Sequence, residues 1–462
     1  MSTKETSLEE IVSLAKRRGF VYPGSEIYGG LAGTFDYGPL GVALKNNVKN
    51  LWWKMFVTDR EDMYGVDAAI LMNPKAWEAS GHVSGFNDPM VECKNCKGRF
   101  RADHLIEDYL VSQGKPITTD TSEVIPQLTC PTCKKKGMMD WPKQFNMMFK
   151  TKAGATEDDS ATVYLRPETA GGMFVNFKNI IDSFHPKLPF GMAQIGKAFR
   201  NEIAPRDFVF RVREFEQMEV EYFVRPADWE KSFEEWQGTM HAFAEAIGLP
   251  KANVHELEVA DGDRAHYSKR TIDFEFDYPF GRKELWGLAY RTDFDLKAHS
   301  ETSKVDLNYL EDGEKAEDRF TPHVIEPSLG VDRTVLAILA SAYTVDELGG
   351  EERSYLKLSP NIAPVRVAVF PLLKNKPELV AKAREIYTAL KKAGIAAMFD
   401  DNGNIGKRYR RQDEIGTPHC VTIDFDTLGE NPEHKDTVTI RDRDTGEQER
   451  IAISALLPKL GA

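Results

Sequence analysis

Several features that would define the chain's class at once are scarce or missing. No stretch of the 462 residues approaches the roughly 18 consecutive apolar positions of a membrane span, so no membrane association is expected. Residues 1–18 mix acids and bases without an apolar core, and no secretory signal is visible. Internal repeats and low-complexity tracts are missing as well. Positive charge is not in surplus: 60 Lys and Arg against 72 Asp and Glu leave a net charge of −12, which argues against indiscriminate nucleic-acid binding. Cysteine is rare, five in all with four in Cys-x-x-Cys pairs, which fits a reducing compartment better than a disulfide framework. The remaining composition is ordinary, and a chain of this length exceeds one core, so a cytoplasmic protein of two or three domains is expected.

Periodicity predicts helices over 8–18 and 39–56. The second opens at Pro39, where proline is comfortable, and carries Val42, Leu44, Val48, Leu51, Trp52 and Phe56 at helical spacing. A glycine-dotted loop, 24–38, precedes it with Tyr28, Phe35 and Tyr37; it could cradle a phosphate but has no P-loop pattern. Residues 85–160 read as an insertion that carries both cysteine pairs. Strands are expected at 162–170, 190–202, 210–224, 283–293 and 322–326, then an apolar helix at 330–343. Residues 359–364 read as a linker. Beyond it, a β-α-β-α-β order at 365–370, 377–393, 396–399, 405–415 and 420–424 predicts a small α/β domain with parallel pairing. Within it, Lys407, Arg408, Arg410 and Arg411 form either a local basic surface for nucleic acid or a solvated helix end.

Two stretches carry the chemistry. Residues two apart on a strand share a face, which groups Gln194, Arg200 and Glu202, and then Arg211, Arg213, Phe215, Gln217 and Glu219 on the returning strand. Phe199, Val212, Met218, Val220 and Tyr222 fall on the opposite sides. Such a hairpin is either a floor for a planar anionic ligand or a solvated sheet laced with salt bridges. The second stretch is Glu326-Pro327-Ser328-Leu329-Gly330-Val331-Asp332-Arg333. A cation in the first turn of a helix opposes its dipole, so Arg333 either pairs with an acid such as Asp332 or Glu326, or meets a bound anion.

Together these residues identify a resemblance. Phe199-Arg200-x-Glu202 with Arg211 resembles motif 2 of class II aminoacyl-tRNA synthetases, Gly330-x-Asp332-Arg333 resembles motif 3, and Pro39 with its helix resembles the dimer-forming motif 1. Arg166-Pro167-Glu168-Thr169-Ala170, Gln194 through Glu202, Arg211 through Phe215 and Glu326-Pro327-Ser328 are similar to the dimeric type of glycyl-tRNA synthetase. The resemblance implies an α+β catalytic domain on an antiparallel sheet (1–358), with the cysteine-rich insertion at 85–160 and a second insertion with sheet strands at 225–325. A C-terminal α/β anticodon-binding domain (359–462) would follow. It implies a homodimer that joins glycine to tRNA(Gly) with ATP. Arg200 and Arg211 would hold the α- and γ-phosphates, Glu202 the adenine amino group, Phe215 the ring and Arg333 the outer side of the nucleotide. Glu284 and Glu326 would bind Mg²⁺; Glu168, Glu219 and Ser328 the glycine ammonium, with Arg291 lining the same pocket. One departure is Gly171, where the family usually has glutamine.

Cys93-x-x-Cys96 and Cys130-x-x-Cys133 suit structural Zn²⁺ with four thiolates, redox or unligated thiols being the alternatives. Cys420, in an apolar strand, reads as a core thiol. Two rival functions stay open: a non-catalytic paralogue that binds nucleic acid, and a synthetase for threonine, proline, serine or histidine.

Overall fold

The computed structural model describes residues 7–115, 123–155, 158, 161–311 and 315–461. Parts of the two expected insertions (116–122, 156–157, 159–160 and 312–314), the first six residues and residue 462 lie outside the described residues.

A seven-stranded sheet organises the larger part of the chain. Its order is Val254–Glu258, Arg270–Tyr278, Gly281–Thr292, His323–Gly330, Glu214–Val224, Phe190–Phe199 and Met63–Gly65. Every neighbouring pair is antiparallel except the last, which is parallel. Strand Glu214–Val224 shows why one face is a core and the other a site. Met218, Val220 and Tyr222 join the apolar cluster that holds Leu44, Val48, Trp52 and Phe56. Phe215, Gln217 and Glu219 point the other way, into a cavity. Helix Val331–Ala342 is buried along most of its length, as its near-continuous apolar run requires.

Helix Pro39–Trp53 continues into a single π turn, Lys54–Thr58. Its first turn is locked to the preceding chain, where Gly38 N donates to Phe20 O at 2.9 Å and Leu40 N to Gly19 O at 3.1 Å. A Cβ at Gly41 would stand 1.8 Å from Phe20 O. From the second turn, Lys45 Nζ reaches Asp332 Oδ1 (3.2 Å) and Glu216 Oε2 (3.1 Å). Asp332 also accepts from Tyr37 Oη (2.6 Å) and Glu216 N (2.7 Å). One buried carboxylate thus ties two helices to the central strand.

The insertion builds a small sheet, ordered Arg99–Arg101, Asn87–Glu92, Lys143–Asn146, with its own cluster of buried residues around Val91, Ile106 and Leu128. The C-terminal sheet is ordered Ala397–Phe399, Val367–Pro371, His419–Ile423, Thr437–Asp442, Gln448–Ala452. Its first three strands are parallel and the last two antiparallel, over a separate core that includes Val369, Leu379 and Ile386. Cys420 is buried there with Phe370 and Ala368, as a core thiol.

Three expectations are corrected. The strand at 162–170 stops at Tyr164, because Pro167 interrupts it; helix Ala170–Phe184 follows and buries Met173, Phe174 and Phe177. The linker at 359–364 is pinned: Ile362 and Ala363 sit in the main core and their carbonyls accept from Asn47 Nδ2 at 3.2 and 3.0 Å. Arg408 does not belong to the basic surface or helix end that the run suggested. Arg408 is buried and donates to the carbonyls of Asp401 and Gly403, Arg410 pairs with Glu351 and Arg411 with Asp400, which leaves Lys407.

Replacing Gly41 by alanine must push apart the 19–20 turn and helix Pro39–Trp53. Overpacking of this kind costs about 2–3 kcal/mol and should lower the midpoint of thermal unfolding; an unchanged midpoint would show that the turn withdraws freely.

Candidate active site

A cavity of about 350 Å³ opens on the polar face of the sheet. Its walls include Glu168, Arg200, Glu202, Arg211, Phe215 and Glu219 from one side. Asp273, Glu284, Glu326, Ser328 and Arg333 close the other.

Three arginines enter it by different routes. Arg200 follows the end of strand Phe190–Phe199; its guanidinium lies 5.3 Å from the Phe215 ring centroid and 5.5 Å from that of Phe86, and its Nε donates to Pro167 O at 3.1 Å. Among the described residues no side chain claims its terminal nitrogens, and none claims the Arg211 guanidinium. Burial lowers the Arg211 pKa, Glu202 opposes that, and Arg101, Arg206 and Arg333 add repulsion. Clustered guanidiniums without partners are costly in the protein alone and complementary to an anion. Arg333 is braced differently: Nη1 meets Glu284 Oε2 at 3.0 Å, Nε donates to Phe210 O at 3.3 Å, and the Phe210 ring lies 4.6 Å away. Its acid partner is therefore Glu284 rather than Asp332, which Lys45 and Tyr37 occupy, or Glu326, which Arg291 occupies.

The inner end is acidic. Glu219 is buried and accepts from Ser328 Oγ (2.6 Å) and Gln217 Nε2 (2.8 Å) on one oxygen, and from Thr169 N (3.0 Å) and Thr169 Oγ1 on the other. Burial raises its pKa, Glu168 adds to the rise, and these hydrogen bonds oppose it. Glu168 goes the opposite way. Burial disfavours its charge, but His82 and the Arg291 and Arg200 guanidiniums outweigh that and hold its pKa down at about 2. Arg291, fully buried behind the wall, donates twice to Asp295 at 2.8 Å and once to Glu326 Oε1 at 2.6 Å, beneath the Tyr267 ring. Burial pushes Glu326 up to about 8 against Arg291, with Glu219 and Glu168 adding to the rise. Cationic groups arriving here would relieve that excess of like charge.

The cavity thus gathers Arg200, Glu202, Arg211, Phe215, Glu284, Glu326, Arg333, Glu168, Glu219 and Ser328, with Arg291 one layer behind. Two residues grouped with them by alternation lie elsewhere. Arg213 precedes the strand, which begins at Glu214, and donates to the carbonyls of Glu202 and Ala32. Gln194 sits against Ala68 and its face is covered by Arg166, whose Nη1 donates to Ala68 O at 2.7 Å. Other residues at the site were missed. Asp273, raised to about 7 by burial and then by Glu284, was open to detection through the strict alternation of 270–278. His82, Phe86 and Tyr267 come from loops or short helices and carried no periodic signal.

Away from the cavity, the four paired cysteines converge, with their sulfurs all within 4.8 Å of one another. Cys93 and Cys133 Sγ lie 3.7 Å apart, Cys96 and Cys130 Sγ 3.6 Å. Four thiolates on one tetrahedral ion stand about 3.8 Å apart, so the set is ready for a metal. The two knuckles are built alike: Lys97 N donates to Cys93 O and Lys134 N to Cys130 O, both at 2.9 Å, with both lysines left-handed.

The description of the tRNA synthetase class II core domain (G, H, P, S and T) matches residues 149–342, and that of an anticodon binding domain matches 366–462. The chain is 50% identical to the glycine–tRNA ligase of Clostridium acetobutylicum, over 98% of this chain and 97% of the relative. Those of Clostridium tetani and Alkaliphilus oremlandii are also 50% identical, over 98% and 99% of this chain and 98% of each relative.

The contact between the insertion and Arg206 yields a test by pH. His104 of the insertion, 3.4 Å from Arg206 Nη2, has its pKa lowered to about 4 by burial and then by Arg101. An unfolded histidine takes its proton near pH 6.5, so this group's contribution to stability is complete above about 6.5 and is lost as pH falls towards 4. Its imidazole resonances should titrate near pH 4; a midpoint near 6.5 would mean that the 101–104 segment of the insertion does not pack against Arg206 in solution.

Proposed function

Because the chain belongs to the glycine–tRNA ligase family of class II synthetases, we propose that this cavity is where its ATP and glycine meet. The enzyme activates glycine with ATP to glycyl-adenylate and pyrophosphate, then transfers glycine to the 3′-terminal ribose of tRNA(Gly). One observation carries the assignment of the site: the terminal nitrogens of Arg200 and the Arg211 guanidinium, paired with no side chain among the described residues, share a cavity with the buried Glu168 and Glu219 and with Ser328.

Arg200 and Arg211 contact the α- and γ-phosphates, and Arg333 lies along the outer side of the nucleotide. Glu202, whose Oε2 is buried without a partner among the described residues, accepts from the adenine amino group, and Phe215 stacks on the ring. The glycine ammonium meets Glu168, Glu219 and Ser328, with Arg291 holding the wall from behind. Glu284 and Glu326 suit Mg²⁺ as donors, since among the described residues each keeps one carboxylate oxygen unclaimed. Bound there, the ion would neutralise phosphate charge.

The glycine carboxylate attacks the α-phosphorus in line and the pyrophosphate leaves, with no proton transferred. The residues therefore position and neutralise, and the first step needs no general base. The ribose hydroxyl then attacks the adenylate carbonyl, the carbonyl–phosphate bond breaks, and AMP leaves with the hydroxyl proton taken up by its phosphate. Selection against larger amino acids is by clash with this walled end of the cavity, since a methyl group's worth of added affinity discriminates only modestly.

We further propose a homodimer through the face beside helix Pro39–Trp53, where Ile27 and Tyr28 are 89% and 86% exposed and Leu31 and Val42 are exposed too. The catalytic unit is read as 1–358 and the anticodon-binding unit as 359–462. Reduced cysteines and tRNA as substrate support a cytoplasmic location. Among the described residues no helix is long and apolar enough to cross a membrane.

Two measurements test these readings. Glu219→Gln should greatly reduce glycine-dependent ATP–pyrophosphate exchange; wild-type exchange in that variant, or exchange driven equally by threonine, proline, serine or histidine, overturns the assignment of the glycine end. Freshly purified protein should contain about one zinc per chain, held by Cys93, Cys96, Cys130 and Cys133; its absence on metal analysis rejects the structural site.

A further inference from the structure

We infer that Ser80, Gly81 and His82 form a brace that fixes the Glu168 carboxylate, which makes His82 a positioning residue for glycine binding. The inference rests on Glu168 contacting the glycine ammonium, as proposed above.

His82 is 8% exposed and stands behind the acidic end of the cavity. Its Nε2 is 3.4 Å from Glu168 Oε2 and its Nδ1 is 2.8 Å from Ser80 Oγ. The imidazole thus bridges the two, with Nε2 facing the carboxylate and Nδ1 facing Ser80 Oγ, which also donates to Trp77 O at 3.4 Å. The nearest guanidinium nitrogen of Arg291 lies further from Glu168, 4.0 Å from the other oxygen. His82 thus sets the orientation of the oxygen that Arg291 does not reach.

The backbone and two aromatic rings hold the imidazole in place. Gly81 has φ 81°, a left-handed turn that a side chain would strain, and it swings His82 back over the short helix Pro74–Ala79. The Trp77 ring meets the imidazole edge-on at 5.4 Å and the Phe86 ring flanks it at 5.4 Å. Trp77 in turn rests on Gly171, where a Cβ would stand 2.9 Å from its ring. The missing side chain at Gly171 therefore leaves space for the ring that backs His82. A ligand-binding carboxylate oriented from behind by a histidine has the logic of second partners around metal ligands, where loss of the orienting group costs roughly ten- to a hundredfold in affinity or activity.

The test measures pyrophosphate exchange with the full chain. His82→Ala should raise the KM for glycine roughly ten- to hundredfold and leave the KM for ATP within about twofold. His82→Gln, which restores an N–H near Nε2, should recover most of the loss. Glu168→Gln should raise the glycine KM as well. If Glu168→Gln raises it and His82→Ala does not, the brace is overturned. If His82→Ala raises both KM values alike and His82→Gln rescues nothing, His82 serves packing alone and the inference again fails. A Glu168→Gln enzyme with an unchanged glycine KM removes the glycine-site reading itself, and the brace with it.

Discussion

Glu219 faces Ser328 across the central antiparallel pair of the sheet, and the rest of the cavity takes its geometry from that register. The pairing sets the Ser328 hydroxyl 2.6 Å from Glu219 Oε1. It also sends Met218 and Val220 into the apolar core and lifts Phe215 and Gln217 to the cavity side. A slip of one residue would exchange the two faces, placing carboxylates among Trp52 and Phe56. The apolar face therefore enforces the polar one. Register is strict because burying a charged face is far more costly than any local preference.

With the register fixed, the electrostatics follow from crowding. Several carboxylates surround one buried guanidinium, Arg291, while across the cavity, among the described residues, no side chain pairs with the terminal nitrogens of Arg200 or with the Arg211 guanidinium. Carboxylates dominate one end and guanidiniums the other, and Arg200 reaches across electrostatically to help keep Glu168 charged. A zwitterion joined to a polyphosphate matches such a layout: ammonium at the acidic end, phosphates at the basic end, carboxylate and α-phosphorus between. The sheet and helix Val331–Ala342 supply the rigidity that holds like charges together in the absence of ligand.

Legibility in the sequence followed locality. Arg200, Glu202, Arg211 and Phe215 lie in or beside a hairpin, and Arg333 in a first helical turn, so short-range periodicity sufficed. The same periodicity misplaced Arg213, whose guanidinium is drawn off by the carbonyls of Glu202 and Ala32 in the loops that pack beside it. It misread 162–170 for a related reason, since an apolar start before Pro167 says nothing of the helix that begins at Ala170. In the basic run 407–411, Arg408 was misread for a different reason. Charge is visible in a sequence, but whether Arg408 faces solvent or the carbonyls of 401 and 403 depends on what packs over the helix.

By itself, the sequence determined the class of chemistry: which arginines and acids stand near one another along the chain, which strands and helices carry them, and which cysteines pair into knuckles. These follow from backbone periods of a few residues. Only the tertiary structure decided the partners. It gave Arg333 to Glu284, Arg291 to Glu326 and Asp295, Asp332 to Lys45 and Tyr37, and His82 to Glu168. Most of these contacts join residues tens to hundreds of positions apart. No local rule reaches across such separations, because burial, which makes a partner necessary, is a property of the packed molecule.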